Sequence, residues 1–207
     1  RELAIGISSN GTLLLTNGDA AGALKLYEEA LPIYAVLARD DSANQNAQRD
    51  LVLGWRDVGA ALYQTGQPDR GRPYFDRTYP RLQEFIAAEP TSFYNRRQLI
   101  NTHLKHAAGA LRCELSDEHA AHARAALATA EELLQDFPEN PVARSSLATA
   151  RLAFARALEP TRPVEALRLY EASLAGWRQL EQAGTLRGLD AKRPAEVEAA
   201  IARLTAG

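Results

Sequence analysis

All four histidines of the chain fall within one stretch, THLKHAAGALRCELSDEHAAH, residues 102–122. His103 and His106 are three apart, and so are His119 and His122. On a helix each pair therefore shares a face. Two antiparallel helices would turn the pairs toward each other, and neutral imidazole nitrogens in a tetrahedral set are zinc chemistry. Two other uses stand beside that one. The leading reading is packing, with histidine filling an interior slot as a polar ring; the third is a pH-responsive cluster, because histidine titrates near neutrality. Cys113 and Glu114 follow at the turn, but no third group orients a base there, so thiol catalysis is not expected. Carboxylate pairs such as Glu28/Glu29 and Glu131/Glu132 fall on exposed helix faces and not in a cleft. The segment is read as non-enzymatic, with no cofactor beyond the zinc alternative.

What must position these residues is a repeat. RELAIG at 1, RDLVLG at 49, RQLINT at 97 and SSLATA at 145 recur at a constant spacing of 48 residues. Leu3, Leu51, Leu99 and Leu147 share one slot, and Gly11, Gly59, Ala107 and Ala155 share another that is always small. Gly18 and Gly66 share a turn, and Tyr27 and Phe75 share an aromatic slot. Within each unit apolar residues recur at three- and four-residue intervals on both sides of a Gly or polar turn, which predicts a helical hairpin. The helices are expected at 2–16 and 20–38, 46–64 and 68–87, 94–112 and 117–135, and 141–158 and 163–182. A closing helix is expected over 190–205, with Asp190 as cap and Pro194 in its first turn. Pro32 and Pro80, one repeat apart, lie inside second helices and are expected to kink or interrupt them.

The motifs resemble those of the tetratricopeptide repeat family. Its pattern W-x2-L-G-x2-Y followed by A-x3-F is met by Trp55, Val58, Gly59 and Leu62, then Gly71 and Phe75. The first unit matches through Ile7, Gly11, Leu14, Ala23 and Tyr27, and the fourth through Phe154, Ala155, Leu158, Ala166 and Tyr170. In the third, His103, His106, Ala107, His119 and Ala123 occupy the motif slots with no aromatic plug. The resemblance implies an all-α right-handed superhelical solenoid, a single repeat domain with units at about 1–48, 49–96, 97–144 and 145–188. The period exceeds the family's usual 34 residues by 14, which is read as both helices lengthened. The long units, the RDL openings and the RPAEVEAAIARL tail also resemble the C-terminal repeat regions of bacterial serine/threonine protein kinases. A kinase's Gly-rich loop, VAIK-type lysine, HRD and DFG are absent from the chain. That second resemblance implies a regulatory or docking arm in signalling, whose partner is the parent protein's own catalytic domain.

Stacked hairpins of this kind line a concave face with the first helix of every unit. The slots pointing away from the partner helix hold Ser8, Thr12 and Leu15, then Arg56, Asp57, Tyr63 and Gln64, then Asn101, Lys105, Ala108 and Arg112, then Leu152 and Arg156. Arg56, Lys105, Arg112 and Arg156, with Gln64 and Asn101, would hold a carboxylate or phosphate of an extended peptide. An ordinary solvated face is the competing reading. Trp55 and Trp177 are expected in the core or the groove wall. Composition narrows the partner class: 24 Lys and Arg against 26 Asp and Glu give a net charge of −2, without the basic excess that nucleic acid demands. The partner is therefore expected to be a protein or peptide. No apolar run approaches the ~18 residues of a membrane span, and no leader pattern is present, so the cytoplasm is the expected compartment. One cysteine and no methionine, not even an initiator, suit a reducing compartment and a fragment of a longer protein.

Overall fold

The helices begin where short polar side chains satisfy their first backbone donors. Asp19 accepts from the Gly22 amide at 2.8 Å and opens α2 (Ala20–Asp40); Asn44 accepts from Ala47 at 3.1 Å and opens α3 (Gln45–Gln64). Asn140 accepts from both Val142 and Ala143 and, with Pro141 in the first turn, opens α7 (Pro141–Leu158). The computed structural model describes residues 1–186 and 188–206. Its other helices are α1 (Glu2–Thr16), α4 (Pro68–Ala88), α5 (Phe93–Arg112), α6 (Ser116–Asp136), α8 (Pro163–Gln182) and α9 (Arg193–Thr205), with a 3-10 turn at Gly188–Lys192. No strand occurs among the described residues. Each expected helix is present, with ends displaced by two or three residues at most.

The turns repeat as the helices do. Gly18 and Gly66 have φ of 89° and 75°, and Glu114, one further period along, has φ of 59°. This is the left-handed region, open to glycine without cost but strained for a side-chain-bearing residue. Pro32 and Pro80, expected to kink or interrupt α2 and α4, lie inside helices that are not interrupted. Both prolines are exposed, and so are Glu28 and Asp76 four residues before them, so water can take up the carbonyls that proline leaves unbonded. Asp190 does not cap the closing helix. It sits in the 3-10 turn, and α9 starts after Lys192 with no side-chain cap.

The chain divides into two compact units. The first comprises Arg1–Pro90 with Gly109–Leu115, and the second comprises Thr91–Ala108 with the chain from Ser116 onward. In the first, α1 packs on α2, α2 on α3 and α3 on α4. Its core places Tyr27 among Ala23, Leu24, Val58 and Leu62, and Tyr63 and Phe75 against Ala60 and Ala110. Tyr63 and Phe75 meet edge to face, with centroids 5.6 Å apart. In the second unit α6 packs on α7, α7 on α8 and α8 on α9, each helix against its successor as a helical repeat requires. Trp177, Tyr170 and Val197 are fully buried there, with Ala166, Leu152 and Ala155 around them. Ile100 packs with Ala126, Ala130, Leu133 and Leu147. Glu159 joins α9 to this core: it accepts from the Tyr170 hydroxyl at 2.7 Å and from Arg203 Nη2 at 2.9 Å.

The small slot of the repeat works as its spacing predicts. Gly11, Gly59, Ala107 and Ala155 are all buried. A Cβ on Gly11 would come within 2.8 Å of the Tyr27 ring, so the glycine makes room for the aromatic of its own hairpin. The leucine slot is less uniform. Leu147 is buried and Leu51 and Leu99 are half-buried, but Leu3 on α1 is 69% exposed.

Candidate functional site

The second unit brings three of the four histidines together. His103 and His106 on α5 face His122 on α6. The Nδ1 atoms of His103 and His122 are 3.1 Å apart, and the His106 ring stacks on that of His122 with centroids 3.8 Å apart. In a neutral pair one Nδ1 carries the proton and the other accepts. His106 Nε2–H donates to Glu118 Oε1 at 2.8 Å. Glu118 and His122 are four apart on α6, about 40° from each other around the helix axis, and therefore lie on one stripe. Ligand atoms of His106, Glu118 and His122 all fall within 4.8 Å of one another, with His106 buried and the other two half-buried.

Burial sets the charge of these rings. It pushes His103 down to about 4, and the neighbouring His122 and His106 add to the shift. His122 is lowered by burial as well, against an opposing pull from Glu118. Both are thus neutral at pH 7 and keep a lone pair on one ring nitrogen.

His119 does not join the other three. It is buried against α7, hydrogen-bonded to the Ala153 backbone, and lowered by burial and by the nearby Arg156 despite that hydrogen bond. The repeat gives the reason: position 119 corresponds to Ala23 and Gly71, both buried, so its ring fills core volume. The four-histidine expectation therefore becomes three histidines and Glu118. Its signal in the sequence was the i, i+4 spacing of Glu118 and His122, which a search among imidazoles alone passes over.

In the first unit an open cleft of about 270 Å³ lies along α1 and α3. Ser8 and Thr12 from α1 and Arg56 and Asp57 from α3 line it, with Ile5 and Leu53 supplying apolar wall. Tyr34 donates its hydroxyl to Ser8 Oγ at 3.2 Å, and the Tyr27 hydroxyl is 3.1 Å from Thr12 Oγ1, so the cleft floor is fixed by the aromatics beneath it. Its charges are balanced: Arg56 Nε donates to Asp57 Oδ1 at 2.9 Å, and Arg1 Nε to Asp50 Oδ2 at 2.6 Å.

The remaining expected groove residues are placed as follows. Tyr63, expected on the binding face, is fully buried, because the missing side chains of Gly71 and Gly109 open a slot that its ring fills. Gln64, Asn101 and Lys105 are half-buried, while Arg112 is exposed at the end of α5. Arg156 is exposed and pairs with Glu196 of α9. Arg56 and Arg156 are thus cations with carboxylates of their own. Cys113 is half-buried, and its thiol donates to the Tyr63 carbonyl at 3.2 Å. Among the described residues no helix is long and apolar enough to cross a membrane. No protein-family model matches the chain, and no curated protein matches it.

Proposed function

We propose that the chain is a non-enzymatic protein-interaction scaffold of the tetratricopeptide type, its hairpins stacked as a right-handed superhelix and its first-helix face receiving an extended segment of a partner protein. The observation that carries this reading is the cleft along α1 and α3, which gathers Ser8, Thr12, Arg56 and Asp57, four residues taken from first-helix slots by the repeat alone. Side-chain hydroxyls and a paired charge offer both donors and acceptors to a peptide backbone, and Ile5 and Leu53 offer apolar contact. Because both arginine–aspartate pairs at the cleft are internally balanced, the favoured occupant is a segment of low net charge.

The test is selection from a random peptide library on the purified chain, followed by titration of the selected peptides. Thr12→Trp fills the cleft from an exposed position and is expected to weaken them by at least about tenfold, the effect of blocking a central contact. Ala21→Trp, exposed on α2, is expected to leave them unchanged. Peptides that bind Thr12→Trp as tightly as the parent chain, or a library that yields no specific binder, would sink the proposal.

A further inference from the structure

The cluster on α5 and α6 is not needed for peptide binding at the α1/α3 cleft, and its composition asks for another explanation. A hairpin core is ordinarily filled by aliphatic and aromatic groups, as at Val58 and Phe154, which correspond to His106, and at Leu26 and Tyr74, which correspond to His122. Here three imidazoles and a carboxylate converge, two rings in face-to-face contact and two ring nitrogens pointing at each other. Packing alone accounts for His119, which fills a repeat slot. It does not account for donor atoms of His106, Glu118 and His122 converging to within 4.8 Å.

We propose that His106, Glu118 and His122 form a binding site for one Zn²⁺ ion that clamps α5 to α6, with His103 orienting His122 from outside the ligand set. Two neutral imidazole nitrogens and one carboxylate oxygen make a set that suits zinc and leaves a fourth position for water. Magnesium and calcium prefer all-oxygen shells and are disfavoured here. The ligand spacing is close to what is required. With metal–ligand bonds of about 2.0–2.1 Å, the edges of a tetrahedron are about 3.3 Å, so the three donor atoms need to close by about 1.5 Å or less. That closure requires the His106 and His122 rings to turn about their χ2 bonds, out of the stack. The His106–Glu118 hydrogen bond already holds an imidazole and a carboxylate 2.8 Å apart, and the ion takes the place of the shared proton. That proton moves to Nδ1 of the same ring, which stays a neutral imidazole and presents the Nε2 lone pair to the ion. His103 Nδ1, 3.1 Å from His122 Nδ1, occupies the place from which an outer partner fixes the tautomer of a metal-bound histidine, leaving Nε2 of His122 for the ion. Glu118 and His122 are half-buried, so the ion has a path in from solution.

The test uses the whole chain, stripped with EDTA and titrated with zinc chloride by calorimetry, with thermal unfolding in parallel. One zinc per chain is expected. At free zinc about a hundredfold above the dissociation constant, the unfolding midpoint is expected to rise by roughly 5–10 °C. Glu118→Gln, which keeps the shape of the side chain and an acceptor for His106, and His122→Ala are each expected to weaken binding at least about tenfold; His103→Ala is expected to cost roughly 10–100-fold while keeping the one-to-one stoichiometry. His119→Gln is expected to bind zinc as the parent does. If His122→Ala does not fold, ring resonances of the parent chain decide: His106 and His122 must move on zinc addition while His119 does not. No stoichiometric binding, binding undiminished in Glu118→Gln, or equal loss in His119→Gln would each overturn the site.

Discussion

Replacing Gly109 by alanine tests a close approach of two helices in the first unit. Gly109 lies in α5, and a Cβ built there would stand 2.5 Å from Tyr63 Cβ and 3.0 Å from its Cγ. The contact is with an atom fixed to the α3 backbone, so rotating the tyrosine does not relieve it. Movement of the ring is blocked on its other side as well, where a Cβ at Gly71 would come within 2.6 Å of Tyr63 Cδ2. Relief requires the backbones to separate, which places the cost near the upper end of the 1–3 kcal/mol typical of overpacking, about 3 kcal/mol. Alanine in a helix regains about 1 kcal/mol over glycine, which leaves a net loss of about 2 kcal/mol. Gly6→Ala is the matched control, since it sits on an exposed face of α1 in the same unit with nothing within 4 Å of its Cβ. It carries the propensity gain alone, about 1 kcal/mol. The two variants should therefore differ by about 3 kcal/mol, or roughly 6–12 °C in unfolding midpoint for a chain of this size. Thermal and urea unfolding followed by far-ultraviolet circular dichroism measure it, provided the denaturant slope is unchanged. A Gly109→Ala chain as stable as the parent would show that the helices do not meet this closely, and the reasoning about Tyr63 would fall with it.

The turn position shared by Gly18, Gly66 and Glu114 makes a second prediction: Glu114→Gly should stabilise the chain by up to about 1 kcal/mol by removing left-handed strain, and a loss of stability in urea unfolding would refute it. Asn140→Ala removes the acceptor for two amides of α7 and should cost about 1 kcal/mol in the same assay, whereas an unchanged midpoint would mean that the cap is idle. Tyr170→Phe should cost about 1 kcal/mol through loss of its bond to Glu159. Glu159 also supplies a pH dependence: desolvation pushes its carboxyl up, but bonds from Tyr170 and Arg203 outweigh this and hold it below the usual range. A carboxyl lowered on folding contributes stability above its unfolded value of about 4.5 that is lost as pH falls through its folded value. In Tyr170→Phe the carboxyl rises and this acid loss shrinks, as unfolding midpoints between roughly pH 3 and 6 will show; an unaltered acid limb would exclude Glu159 as its source.

Much of the fold was legible because its signals are local. Asp19, Asn44 and Asn140 cap helices through atoms two or three residues away, and Gly18 and Gly66 reverse the chain by their own backbone freedom. The 48-residue period located Gly11, Gly59, Ala107 and Ala155 as small interior positions without any knowledge of what they touch. The periodicity also gathered Ser8, Thr12, Arg56 and Asp57 on first-helix slots, and the structure finds them along one cleft. The candidate ligand set was legible only in part. His103, His106 and His122 met as antiparallel helices suggest, but Glu118 entered and His119 left, because a helix rotated by one residue step, 100°, exchanges one side chain for its neighbour at an interface. Spacing within one strip of sequence fixes which residues share a face. Which face turns inward, and against what, is settled by packing volume contributed from elsewhere in the chain. For that reason Tyr63 is a core residue in the space left by Gly71 and Gly109, and Arg56 meets Asp57 with its charge already balanced.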